Sequence, residues 1–186
     1  MLLIRSLLFI GFAGAVIAIF ALAILLLFWA PKRVHWAITL AYCHVAVWAG
    51  RFFCGLDPEV EGLENLPDEP CVIMIKHTST FETYWHVTVF PKTTWVIKRE
   101  VMYVPIVGWA MKLALDPIFI NRGSGRSAVK QVIGKGKKKL AEGSWVTIFP
   151  EGTRMPPGET RRYGVSGAAL ARDAGCKIIP VAHNAG

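Results

Sequence analysis

The sequence predicts an α/β domain, a mixed central sheet flanked by helices, preceded by an N-terminal membrane-embedded helical anchor. Three observations carry this reading. No charged residue occurs from Ser6 to Pro31, the pattern changes after Leu56-Asp57-Pro58, and short apolar runs then alternate with stretches of helical period. The chain of 186 residues therefore divides into an anchor of two apolar helices over residues 1–57 and one folded domain over residues 58–186.

The first apolar run exceeds the roughly 20 residues needed to cross a bilayer. A signal peptide is the rival reading, but its apolar region is usually about 7 to 15 residues, and no clear small-residue cleavage site precedes Pro31. Pro31 breaks the helix, Lys32 and Arg33 supply two cations, and a second apolar segment follows from Val34 to Phe53 with Trp36, Tyr42, Trp48 and Arg51 as interface-type residues. Two full crossings would set the domain opposite Lys32 and Arg33, against the positive-inside rule. A single crossing, or a hairpin held in one leaflet, keeps both on the cytosolic side.

Beyond residue 58 the apolar runs predict strands at 71–76, 94–98, 117–120, 145–149 and 177–182. The intervening periodic stretches predict helices at 80–90, 106–115, 124–142 and 165–174. The chain ends at Ala185-Gly186 directly after the last strand run, and the domain is expected to be C-terminally incomplete.

Composition narrows the classes of partner. Hydrophobic residues make up 53% of the chain and mean hydropathy is +0.41, so lipid is expected to solvate part of the surface. A formal charge of +8 and a pI near 9.5 favour a polyanion: nucleic acid, anionic headgroups or a phosphorylated substrate. Cys43, Cys54, Cys71 and Cys176 form neither a CxxC pair nor a disulfide framework, and they read as small core residues in a reducing compartment. The ligand inventory implies no metal.

Two segments carry chemistry. His77 follows the first strand directly, and Glu82 lies five residues on, in the first turn of the next helix. A carboxylate bonded to one imidazole nitrogen fixes the tautomer and leaves the other nitrogen to take a proton from a hydroxyl. Ser79-Thr80-Phe81-Glu82 also fits a capping box, in which Glu82 closes the helix start. The second segment, Phe149-Pro150-Glu151-Gly152-Thr153-Arg154, ends a strand in a turn. There Arg154 can hold a phosphate in bidentate fashion, Gly152 allows close backbone approach, and Glu151 can position Arg154 or a substrate hydroxyl. The bland reading of this turn is a surface salt bridge.

These two segments, in this order, resemble the glycerophospholipid acyltransferase family, most closely the members acting on 1-acyl-glycerol 3-phosphate. The resemblance runs over roughly residues 60 to 186. Glu82 stands where the family has aspartate, one methylene longer. Asp116-Pro117-Ile118-Phe119-Ile120-Asn121-Arg122 resembles the family's second motif, with Asp116 in place of glycine and Asn121 in place of aspartate. Ile179-Pro180-Val181-Ala182-His183-Asn184-Ala185-Gly186 resembles the fourth, with His183 read as structural.

What the resemblance implies is transfer of a fatty acyl group to the free sn-2 hydroxyl of lysophosphatidic acid, making phosphatidic acid. His77 is the general base and Glu82 its partner. Lys98, Arg122, Glu151, Gly152, Thr153 and Arg154 bind substrate, and the donor is acyl-CoA or acyl carrier protein, with no resident cofactor. The expected location is a membrane with the site on its cytosolic face, the inner membrane if the source is bacterial. Membrane lipid and lysophospholipid are then the partners, without nucleic acid. Acylation of glycerol 3-phosphate, lyso-ornithine lipid or another lysolipid stays open, as does a non-catalytic lipid-binding protein. Lys135 to Lys139 is read as either a grip for anionic phosphates or the solvated face of a helix whose apolar side is Val129, Val132, Ile133 and Leu140.

Overall fold

The structure is a computed structural model that describes residues 2–121 and 125–185. Helices α1 (Leu2–Leu26) and α2 (Lys32–Ala49) come first, and α2 runs on into a π-helical turn at Gly50–Cys54. Strands β1 (Val72–Ile75), β2 (Thr93–Lys98), β3 (Ile118–Ile120), β4 (Trp145–Ile148) and β5 (Ile178–Val181) then alternate with α3 (Phe81–Val89), α4 (Val107–Leu115), α5 (Arg126–Ala141) and α6 (Ser166–Ala174). Each of these strands and helices falls within a residue or two of its sequence-predicted span.

The five strands form one sheet in the order β3-β2-β4-β1-β5. All four pairings among the described strands are parallel, where the sequence predicted a mixed sheet. The physical reason is that a helix intervenes between each strand and the next, returning the chain to the same end of the sheet. The strands read accordingly: β4 is buried at every position and β1 at three of four, as expected where helices cover both faces. Val72, Val146, Ile148, Val132 and Leu170 form the core on the α5/α6 face. On the other face α3 and α4 cover the sheet, with Ile73, Ile75 and Phe90 in one core cluster and Trp95 packed among the residues of the anchor helices.

The α1–α2 hairpin packs over α3 and α4 as a further layer. Ala21 and Ile24 of α1 meet Ala110, Ala114 and Leu115 of α4, while Tyr42, Cys43 and Ala46 of α2 meet Val87 of α3. His35 and Thr39 share this buried face of α2, with His35 Nε2 bonded to the Leu27 carbonyl at 2.9 Å and the Thr39 hydroxyl donating to the His35 carbonyl at 2.9 Å. Lys32, the first residue of α2, pairs with Asp116 at the foot of α4 at 3.2 Å. At the other end of α2, a Cβ placed on Gly50 would lie 2.6 Å from the Phe81 ring at the start of α3. Phe12 stacks its edge near Trp48 and Phe53, and Arg5 Nε donates to the Phe53 carbonyl at 2.5 Å. The start of α1 thus lies beside the end of α2, the end that meets the start of α3 just after β1.

Asp116 adopts the left-handed region with φ +45°, which ordinarily favours glycine. Two cations hold it there, Lys32 and Lys139, the latter at 2.5 Å. Burial pushes the Asp116 carboxyl up, but these two partners outweigh it and hold the group below the usual carboxylate range. The Thr94 hydroxyl donates to the Leu115 and Asp116 carbonyls at 2.8 and 3.1 Å, satisfying acceptors that the end of α4 leaves open. The four cysteines are free thiols, and burial, with Cys176 nearby, pushes Cys71 up to about 12.

Candidate active site

Because every pairing is parallel, all five strands deliver their following residues to one edge. His77 lies just past β1, Lys98 ends β2, Glu151 and Arg154 follow β4, and His183 follows β5. Ligand sites of open α/β sheets form at this carboxyl edge. The expected strand-end cation Arg122 lies outside the described residues.

His77 and Glu82 meet. His77 Nδ1 lies 2.7 Å from Glu82 Oε1, and Glu82 is 1% exposed, so water does not compete for the carboxylate. The same carboxylate accepts from the backbone N–H of Thr78 at 3.0 Å and of Ser79 at 3.0 Å, and from the Ser79 hydroxyl. Ser79 Oγ in turn accepts from the Phe81 N–H at 3.1 Å, completing a capping box. The two sequence readings of Glu82 are therefore one arrangement, in which the cap fixes the carboxylate and the carboxylate fixes the ring. Burial works against ionisation of Glu82, but the bonds from His77 and Ser79 outweigh it and hold the carboxyl below its ordinary value. An ionised Glu82 accepts from Nδ1–H, which leaves the lone pair on Nε2.

Phe149 stacks under the imidazole, with centroids 4.2 Å apart and planes at 29°. His86, fully buried, meets Phe149 edge-on at 6.4 Å. The His86 tautomer follows from its bonds: Nδ1–H donates to the Glu82 carbonyl at 3.0 Å, and Nε2 accepts from Trp95 Nε1–H at 2.8 Å. Sequence reading missed His86 and the stacking role of Phe149. The one available signal was His86 four residues after Glu82, on the same helix face.

Burial lowers the His86 pKa from 6.5 to about 4. The folded value lies below the unfolded one, so this contribution to stability is complete above pH 6.5 and is lost as pH falls through about 4. The full shift is on the order of 3 kcal/mol. The thermal midpoint in a fixed detergent is therefore expected to fall between pH 7 and pH 5, and His86→Gln to lower it at pH 7 while flattening that dependence.

The turn after β4 departs from expectation in one respect. Glu151, 4% exposed, does not hold Arg154: its Oε2 accepts the His77 backbone N–H at 3.3 Å, and its buried Oε1 has no partner among the described residues. The chain turns away from Arg154 because Gly152, at φ +71°, reverses the backbone between them. Arg154 instead donates to Thr80 Oγ1 at 3.1 Å, beside the start of α3, and the Met155 N–H donates to the His77 carbonyl at 2.8 Å. Thr153 and Arg154 are exposed. Lys98 is exposed at the end of β2, two strands from β1, or about 10 Å across the sheet. His183 bonds the Lys76 carbonyl at 2.6 Å and accepts from the Ala185 N–H at 3.2 Å, the structural role expected of it.

A cavity of about 240 Å³ opens between the α1–α2 hairpin and the α3/α4 layer, bounded by Ile17, Phe20, Tyr42, Met111 and, at the end toward the site, Thr80. Its lining is almost wholly apolar.

A profile of the Acyltransferase family matches residues 57–184. The chain belongs to the acyltransferase family. It is similar to the 1-acyl-sn-glycerol-3-phosphate acyltransferase of Pseudomonas aeruginosa, 47% identical over 145 residues that cover 78% of this chain and 56% of that protein. It is also similar to the 1-acyl-sn-glycerol-3-phosphate acyltransferase of Saccharomyces cerevisiae, 31% identical over 153 residues, 79% of this chain and 48% of that one. The chain thus spans about half the length of these curated relatives. The crystal structure of the 1-acyl-sn-glycerophosphate (LPA) acyltransferase PlsC from Thermotoga maritima shares the fold, with a TM-score of 0.74 over 95% of this chain and 71% of that one at 22% identity. Acyltransferase family members of this fold act in lipid metabolism, in keeping with an apolar helix suited to a membrane at the N-terminus of this one.

Proposed function

We propose that the protein transfers a fatty acyl group from acyl-CoA or acyl carrier protein to the sn-2 hydroxyl of lysophosphatidic acid. The observation that carries this reading is the buried Glu82 carboxylate on His77 Nδ1 at the edge where Lys98 and Arg154 are exposed. His77 Nε2 takes the proton of the acceptor hydroxyl as its oxygen attacks the thioester carbonyl, and Glu82 stabilises the imidazolium that forms. The thioester carbon–sulfur bond then breaks, the new ester forms, and the proton passes from His77 to the leaving thiolate. No acyl-enzyme is needed, since a thioester is already activated and the site has to supply position and dryness.

Arg154, Lys98 and Arg122 hold the acceptor phosphate, and Gly152 with Thr153 shapes the turn against it. Glu151 serves the site through its bond to the His77 backbone N–H, which fixes the strand end that carries the base. The apolar cavity beside Thr80 suits the donor's acyl chain. Residues 1–57 act as the anchor and residues 58–186 carry the chemistry. The Lys32–Asp116 pair ties the α1–α2 connection to the domain, which supports an anchor whose turn lies on the domain's own, cytosolic, side of the membrane.

Purified protein given lysophosphatidic acid and a series of acyl thioesters is expected to release free thiol and form phosphatidic acid. Saturation at lower concentration by glycerol 3-phosphate or another lysolipid would reassign the acceptor, and binding of lysolipid without thiol release would leave a lipid-binding protein. Arg154→Ala is expected to raise the acceptor KM about tenfold or more with a smaller change in kcat, the signature of a lost charge-assisted contact to phosphate.

A further inference from the structure

One segment beside the site is built in a way the acyl-transfer reading does not use. After β2 a short 3-10 helix, Arg99–Tyr103, leads into a turn of four exposed residues, Tyr103, Val104, Pro105 and Ile106. Tyr103 is 64% exposed and Trp109, on the first turn of α4, is 52% exposed. Ile106 sits at φ 63° and ψ −64°, with the Val107 N–H donating to the Pro105 carbonyl at 2.6 Å. This is a γ-turn of the rare positive-φ kind, and a β-branched residue occupies its strained centre. Strain of this sort persists only where the surroundings impose it.

The surroundings are visible. The Gly108 N–H donates to the Val104 carbonyl at 2.9 Å, and a Cβ on Gly108 would lie 2.8 Å from the Met102 carbonyl oxygen. Only glycine lets α4 start so close under the turn, so the apolar residues are presented on a rigid base. Charges flank them, Lys98, Arg99 and Glu100 before the turn and Lys112 one helical turn beyond Trp109, all exposed, with cations outnumbering the single carboxylate. The turn stands at the carboxyl end of β2, the edge at which β1 runs into α3 and near which α1 starts, with Leu3, Ile4, Leu7 and Leu8 exposed on it.

We propose that Tyr103, Val104, Ile106 and Trp109 form a second membrane contact, resting on the surface of an anionic bilayer beside the catalytic edge. A second apolar contact with flanking cations fixes the edge against the headgroups, where the acceptor lysolipid resides. Aromatic residues suit that depth, having an apolar body and a polar tip. The exposed apolar start of α1 at the same edge and the excess of cations around the turn favour this occupant over a second copy of the chain or another protein segment. The inference rests on a lipid acceptor as read above.

The test uses the full chain reconstituted in phosphatidylcholine vesicles with about one-fifth phosphatidylglycerol, part of it brominated near the headgroup. The difference between the wild type and Trp109→Phe isolates the Trp109 fluorescence, which is expected to be quenched by the brominated lipid. The double variant Tyr103→Ser, Ile106→Asn uses asparagine because it tolerates positive φ. It is expected to keep turnover within about twofold on a dispersed short-chain lysophosphatidate and to lose about tenfold on vesicle-borne acceptor. Arg99→Gln with Lys112→Gln is expected to remove the advantage of anionic over neutral vesicles. An unquenched Trp109 component, equal losses on both acceptors, or a cross-linked dimer that disappears in the double variant would each overturn the proposal. If no acceptor is acylated at all, the acyl-transfer reading falls, while the quenching still reports the membrane contact.

Discussion

Replacing His77 by alanine is expected to lower kcat about a thousandfold, with acceptor KM changed only a fewfold. The magnitude follows from what one positioned base supplies at a hydroxyl whose own acidity is far too low for neutral pH. It also follows from how little else at this edge could stand in. Lys98 and Arg154 are cations that cannot accept a proton, and the Glu151 carboxylate is engaged through one oxygen with the His77 backbone. Alanine also removes the ring that stacks on Phe149 at 4.2 Å, so some loss of stability is expected alongside the loss of rate. His77→Asn separates the two effects, since its amide can still donate toward Glu82 while lacking a base. An asparagine variant with native melting behaviour and turnover near that of the wild type would remove His77 from the chemistry.

The second large effect is expected at Glu82. Glu82→Gln should lower kcat about a hundredfold and destabilise the fold by about 1–3 kcal/mol. In the native arrangement the carboxylate receives only donors: His77 Nδ1–H, two backbone N–H groups and the Ser79 hydroxyl. An amide brings one N–H to face those donors, which leaves a buried group unpaired and removes the charge that balances the imidazolium. The acid limb follows with a definite sign. The folded Glu82 carboxyl titrates below its unfolded value of 4.5, so its contribution to stability is present above pH 4.5 and lost as pH falls through the lower folded value. The glutamine variant should lack that part of the acid dependence. Glu82→Asp addresses the extra methylene directly: native turnover would mean that either length reaches the imidazole, and a loss would mean that the Ser79 cap is set for glutamate.

Much of this arrangement was legible beforehand, and particular residues show why. The strand ending before His77 and the helix beginning near Glu82 follow from apolar runs and a capping pattern, both local. Five residues of separation at such a junction confine the two side chains to one turn of space, so their meeting needed no knowledge of the rest of the fold. The motif Phe149 to Arg154 was recognisable for the same reason. Its internal wiring was not: Glu151 and Arg154 are three residues apart, yet each turns to a partner 74 positions away, His77 and Thr80. His86 was overlooked because a buried histidine and a packed one look alike until Trp95 and Phe149 are in place around it.

The sequence by itself determined the two apolar N-terminal helices, the kinds and spans of the strands and helices that follow, and the chemistry available at their ends, because these depend on periodicity and on neighbours within a few residues. Only the tertiary structure decided that the strands all run parallel in the order β3-β2-β4-β1-β5 and so gather their ends at one edge. It also decided that Asp116 binds Lys32 and Lys139, and that Phe149 lies beneath His77. Those contacts join residues 23 to 84 positions apart, as the Lys139–Asp116 and Lys32–Asp116 pairs illustrate. Burial against the whole sheet, and not any local preference, selects them.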